Sequence, residues 1–79
     1  MSNRVLVEYT GVITSHSGQK QEWVKIENNT NVEDLLTNLG YRKEHQKFII
    51  VTVNGQKATL ETPLSNEMAV SLFLPTGGG

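Results

Sequence analysis

Apolar and polar residues alternate near the start of the chain, where Val5, Val7 and Tyr9 are interleaved with Leu6, Glu8 and Thr10. A period of two marks a half-buried strand whose side chains point alternately to opposite faces. Residues 11–19 include Gly11, Ser15, Ser17 and Gly18 and read as a hairpin turn or loop. Alternation resumes over 22–26 with Val24 and Ile26 as the inward pair, so the first two strands are expected to form an antiparallel hairpin. The period then changes. Val32, Leu35, Leu36 and Leu39 stand at i, i+3, i+4 and i+7, which is one face of a helix. Thr30 followed by Glu33 fits a capping box, and Asn31 is a second candidate cap. Glu33 and Asp34 suit the positive end of the helix dipole, and Gly40 is a natural stop.

Residues 41–47 are polar and read as a loop. Residues 48–53 form a continuous apolar run rich in β-branched side chains, as expected of a central strand. Asn54-Gly55 is a type I′ turn signal, and 56–60 would be the short return strand. Thr62-Pro63-Leu64 and Ser65-Asn66 punctuate the chain before a last strand over 68–74. There Val70 and Leu72 face inward, which turns Phe73 outward, as the same count turns Leu6, Trp23 and Ile50 outward. Two hairpins flanking one helix place that helix across one face of a mixed sheet, with the first and last strands apolar enough to be central and to pair in parallel. The expected fold class is α+β, of the β-grasp or ubiquitin-like kind. It has four to five strands, one helix on one face, a domain over 1–74 and a flexible glycine-rich tail over 75–79.

Composition narrows the function. A chain of 79 residues makes one domain, and at this size it buries only roughly 60% of its unfolded surface, which leaves little room for an enclosed active site. The net charge is -1 with Lys and Arg scattered, so no nucleic-acid footprint is expected. Cysteine is absent, which removes disulfides, thiolate metal sites and a cysteine nucleophile. His16 and His45 lie in separate polar segments, and no metal site is expected. No apolar stretch has signal-peptide or membrane-span length, so the expected compartment is the cytoplasm, without a membrane partner.

Chemistry points to the end of the chain, Pro75-Thr76-Gly77-Gly78-Gly79. Glycine has no Cβ, so Gly77 and Gly78 let the backbone thread a slot too narrow for side chains. An extended segment from Leu74 to Gly79 reaches roughly 15–20 Å. The α-carboxylate, with a pKa of about 3.5, is ionised at neutral pH and is a poor electrophile until converted to a mixed anhydride such as an acyl-adenylate. The segment carries no base, cationic clamp or nucleophile. It can present a carboxylate at Gly79 but must rely on an ATP-using partner to activate it. A glycine-rich end is also compatible with a loose terminus of no functional consequence.

The run Leu72-Phe73-Leu74-Pro75-Thr76-Gly77-Gly78-Gly79 resembles the end of the MoaD and ThiS sulfur carriers, an apolar strand followed by proline and a terminal Gly-Gly. Val53-Asn54-Gly55 and Thr62-Pro63-Leu64 match further family features, and the long first turn is closer to MoaD. The resemblance implies a carrier that is not itself an enzyme. Its terminal glycine, Gly79, would be adenylated by a ubiquitin-activating-type enzyme and become a thiocarboxylate. Its sulfur would pass to an acceptor enzyme of the molybdopterin synthase large-subunit or thiazole synthase type, with molybdopterin the leading pathway. No cofactor is expected on the chain itself, since ATP is used by the partner. Docking is implied for Phe73, Leu74 and Pro75, with Leu6 and Ile50 supplying further apolar surface. Three glycines stand where two are typical, and Glu8 and Lys57 stand where the family often has bulky apolar residues. A ubiquitin-like modifier joined to lysines through Gly79 and a plain β-grasp binding module remain open alternatives.

Overall fold

A computed structural model describes residues 3–13, 15 and 18–75 of the chain. Strand β1 (Asn3–Gly11) turns back into β2 (Gln21–Ile26) and is followed by helix α1 (Val32–Asn38) and a short helix α2 (Lys43–Gln46). Strands β3 (Ile50–Val53), β4 (Gln56–Ala58) and β5 (Ala69–Leu74) complete a five-stranded sheet of order β2-β1-β5-β3-β4. β1 and β5 pair in parallel, whereas β1–β2, β3–β4 and β3–β5 are antiparallel. This is the β-grasp arrangement, with the N- and C-terminal strands side by side at its centre.

Period two decides which side chains meet the helix. Val5 and Val7 of β1, Val51 and Val53 of β3, and Val70 and Leu72 of β5 are buried on one face, together with Ile26 of β2. Val32, Leu35 and Leu36 of α1 close over them. A helix of 7 residues is too short to persist alone in water, so its stability comes from this burial. Each fully buried Leu contributes about 1.5–3 kcal/mol relative to exposure. At the β3–β4 turn, Asn54 and Gly55 have φ of 52° and 85°, and two positive values are what a type I′ turn requires. The Asn54 side chain also accepts the Ala69 amide at 2.9 Å, and its own N–H donates to the Ala69 carbonyl at 2.8 Å, locking the hairpin to the start of β5.

Several local expectations are corrected. The cap of α1 is Asn31, whose side chain accepts the Asp34 amide at 2.8 Å while the Asp34 carboxylate accepts the Asn31 amide at 3.2 Å. Thr30 is buried instead, donating its hydroxyl to the Glu27 carbonyl at 2.6 Å. The segment 41–47 is not all loop, because 43–46 form α2. The cause is Gln46, which is almost fully buried and donates its amide to the Thr37 hydroxyl at 3.1 Å and the Tyr41 carbonyl at 2.8 Å. That satisfied polar anchor draws α2 against α1. β3 consequently begins at Ile50 rather than at 48, and Phe48 is left in a turn, 60% exposed. β4 ends at Ala58, and β5 begins at Ala69.

Candidate docking face and the root of the tail

The face of the sheet opposite α1 carries no helix among the described residues. Its side chains follow from the strand registers. Leu6 lies between Trp23 and Ala69, Glu8 between Gln21 and Ser71, and Thr10 beside Phe73. Across β5, Phe73 faces Ile50, Ser71 faces Thr52, and Thr52 faces Lys57 on β4. Phe73 and Ile50 are each 39% exposed and form one apolar pair where β5 leaves the sheet. Directly cross-strand side chains at such spacing touch, so the two act as a single patch.

Leu6 is outward as expected but is not part of that patch. It stands four positions from Thr10 along β1, about 13 Å at the rise of a strand. It belongs instead to a second apolar cluster with Ala69 and the exposed Trp23, over whose ring the Arg4 guanidinium sits 4.0 Å from the centroid. Between the two clusters runs a polar band of Gln21, Glu8, Ser71, Thr52 and Lys57. A shallow depression of about 310 Å³ opens there over Leu6, Glu8, Thr52, Ala69 and Ser71, where small side chains on β5 let the surface dip. Glu8 and Lys57, two of the departures from the expected pattern, are both exposed on this face.

Leu74 points the other way. It pairs with Gly11 and is half-buried on the core side, so β5 ends with Phe73 on one face and Leu74 on the other. The Leu74 carbonyl accepts the Val12 amide at 3.1 Å, holding the strand end down before the exposed Pro75. Gly11 makes this junction possible. Its φ is +74°, and a Cβ there would lie 2.6 Å from the Leu74 carbonyl oxygen and 2.9 Å from the Phe73 ring. Gly77, Gly78 and Gly79 lie outside the described residues, as does His16.

The polar chemistry of the domain is structural. Tyr9 donates its hydroxyl to the Glu22 carboxylate at 2.6 Å. Burial, then the accepting Glu22 and its charge, push the Tyr9 phenol well above its ordinary range. Tyr41 is raised in the same direction by burial and by Glu22. Both phenols therefore stay protonated at neutral pH. Among the described residues no group of three or more His, Asp or Glu side chains is placed to hold a metal ion. No helix among them is long and apolar enough to cross a membrane. Period-two counting found Phe73, Ile50, Leu6 and Trp23. It does not find Val12 or Phe48, both exposed near Leu74, because Val12 lies in the turn after β1 and the apolar run over 48–53 reads as strand throughout.

A mixed β-grasp sheet with one face under a helix, the other open, and a glycine-rich segment following its central strand defines a ubiquitin-like domain. The family model described as ThiS matches residues 7–79, and the chain belongs to that family. Solved structures share the fold. A Pyrococcus furiosus protein assigned as molybdopterin converting factor subunit 1 has a TM-score of 0.75 and 21% identity, over 94% of this chain and 99% of that one. The small archaeal modifier protein 1 of Haloferax volcanii has a TM-score of 0.77 and 17% identity, over 94% and 99%. Subunit 1 of the Helicobacter pylori molybdopterin-converting factor, in complex with its subunit 2, has a TM-score of 0.63 and 21% identity, over 96% and 99%. No curated protein sequence matches the chain.

Proposed function

We propose that the chain is a sulfur carrier whose Gly79 carboxylate is activated and thiolated by partner enzymes, and that it is itself a substrate rather than a catalyst. The observation that carries this reading is that the ThiS family match extends through residue 79 and so takes in Gly78 and Gly79, downstream of a strand whose end bears an exposed apolar pair. In the first step the carboxylate attacks the α-phosphorus of ATP, giving an acyl-adenylate and releasing pyrophosphate. In the second a hydrosulfide-equivalent nucleophile attacks the acyl carbon and AMP leaves with the C–O–P bond's oxygen. The product is a thiocarboxylate with one oxygen replaced by sulfur. Both steps need a partner's ATP site. The chain's part is to present the tail and to be recognised.

Recognition is assigned to the open sheet face. Phe73 and Ile50 sit at the tail root, where a partner closing on the tail must pass, with Pro75 stiffening the exit. Leu6 and Trp23 form a separate contact at the far end. The proposed partners are a ubiquitin-activating-type adenylating enzyme and a sulfur-accepting enzyme, with molybdopterin synthase the leading acceptor and a thiazole-forming enzyme the alternative. The Helicobacter pylori subunit 1, held in a complex with subunit 2, supports a partner of the first acceptor type. A second reading, conjugation to lysine amines through Gly79, is favoured by the likeness to small archaeal modifier protein 1. Both use the same adenylate.

Intact-mass spectrometry of protein from its native host, with the pathway induced, separates them. The carrier reading expects a fraction with a single oxygen-to-sulfur exchange that disappears when residues 78–79 are deleted. Conjugation expects high-mass isopeptide adducts instead. A chain that forms neither species, nor any adenylate with the host's activating enzyme, is a binding module and the proposal fails.

A further inference from the structure

A second apolar surface lies on the other side of the tail root. Beyond the end of α1 a groove of about 350 Å³ opens between the turn after β1 and the α2–β3 segment, lined by Val12, Ile13, Phe48, Ile49 and Leu74 with Tyr41 and His45. Phe48 is 60% and Val12 48% exposed, while the core-side residues Ile13, Ile49 and Leu74 are only half-buried. Phe48 is held out by its neighbours. Buried Gln46 pins α2 through Thr37 and Tyr41, and the Phe48 amide donates to the His45 carbonyl at 3.1 Å. The groove is therefore a built feature of the α2 turn.

Two observations identify what it fits. Leu74 is the last residue of β5, so the groove is continuous with the chain that leads to Pro75 and the glycines. Phe73 on one face and Leu74 on the other flank this exit, so a protein that takes the tail into its own site has an apolar contact available on each face of β5. One cation stands at the groove's edge, where the Lys47 ammonium lies 5.4 Å from the Phe48 ring centroid. An apolar floor with a cation beside it matches an apolar side chain next to a carboxylate.

We infer that this groove is a second docking surface, which receives an apolar side chain flanked by a carboxylate of the adenylating enzyme, so that the enzyme grips the end of β5 from both faces. This rests on the carrier reading above. The test uses the full chain and the purified ubiquitin-activating-type enzyme of the same organism. Its readout is ATP–pyrophosphate exchange dependent on the chain, with circular dichroism confirming that each variant is folded. Phe48→Ser is expected to raise the KM for the chain about tenfold with kcat retained, as loss of an anchoring contact does. Val12→Ser probes the opposite wall should the Phe48 variant fail to fold. Lys47→Glu is expected to raise KM and to flatten its dependence on salt, because a rim charge acts through screened attraction. If Phe48→Ser and Val12→Ser both stay within about twofold of wild type while Phe73→Ser is impaired, the groove is idle and the carrier reading alone survives. If the wild type supports no exchange, that reading falls and the groove assignment falls with it. If sedimentation finds a dimer that Phe48→Ser dissolves, the occupant is a second copy and the assignment to the enzyme is overturned.

Discussion

The two faces of this sheet are made from the same strands and differ in almost every other respect. On the covered face Val5, Val7, Val51, Val53, Val70 and Leu72 are all buried under α1. On the open face the residues between them are mixed, with apolar pairs at either end and Glu8, Ser71, Thr52 and Lys57 in the middle. Unbroken apolar surface is affordable only where something permanent covers it. A face that must meet water and a partner in turn keeps its apolar groups in small patches separated by polar ones. Stability is concentrated on the first face and the proposed recognition on the second, and β5 contributes to both through alternate residues.

The strongest attack on this contrast is to cut the covered face. Leu72→Ala is expected to cost about 2–5 kcal/mol, a large part of the roughly 4–12 kcal/mol available to a domain of this size. Urea denaturation would read this as a lowered midpoint. A loss no larger than that of an exposed residue would show that Leu72 is not in the core. Next comes the junction between the faces. Gly11→Ala is expected to cost about 1–3 kcal/mol, because a Cβ meets strain at positive φ and a fixed backbone oxygen at 2.6 Å. Thermal unfolding that leaves this variant as stable as wild type would mean that the tail root is not held against β1.

Smaller effects sharpen the comparison. Tyr9→Phe removes the hydrogen bond to Glu22 and is expected to cost about 0.5–1.5 kcal/mol at neutral pH. The direction with pH follows from the raised phenols. A tyrosine whose folded pKa lies above its unfolded value stabilises the fold fully below that unfolded value, 10.0, and loses the contribution as pH climbs beyond it. Stability is thus expected to fall only above about pH 10, and less steeply in Tyr9→Phe, when unfolding is followed across alkaline pH. Phe73→Ser is expected to cost only about 1 kcal/mol, since the residue keeps 39% of its surface exposed and loss of the ring removes chiefly a cross-strand contact. Its effect belongs in the exchange assay, and a large loss of stability with intact activation would reverse the division between faces.

Much of this architecture can be read from periodicity. The inward pairs Val5/Val7, Val24/Ile26 and Val70/Leu72, the helix face Val32/Leu35/Leu36 and the Asn54-Gly55 turn all rest on neighbours within a few residues, and local sterics act over that range. The same count turns Phe73 and Ile50 outward. The errors share a cause as well. Thr30, Gln46 and Phe48 depart from the periodic pattern because each depends on a partner or position that short-range patterning does not encode. Thr30 gives its hydroxyl to Glu27, Gln46 reaches back to Thr37, and Phe48 is displaced from the sheet by the anchor that Gln46 provides.

The sequence by itself determined the order of the strands and of the main helix, the inward and outward sets on β1, β2 and β5, and the glycine segment that makes a carrier the leading proposal. Those follow from backbone geometry and from the absence of side chains at the last positions. Only the tertiary structure decided which outward residues are neighbours. Strand order and register join Phe73 to Ile50 and send Leu6 to Trp23, and chain closure brings Val12, Phe48 and Leu74 together around one groove. Periodicity gives a residue's direction. Which residue stands beside it is set by pairing between segments far apart in the chain, and both proposed docking surfaces depend on that pairing.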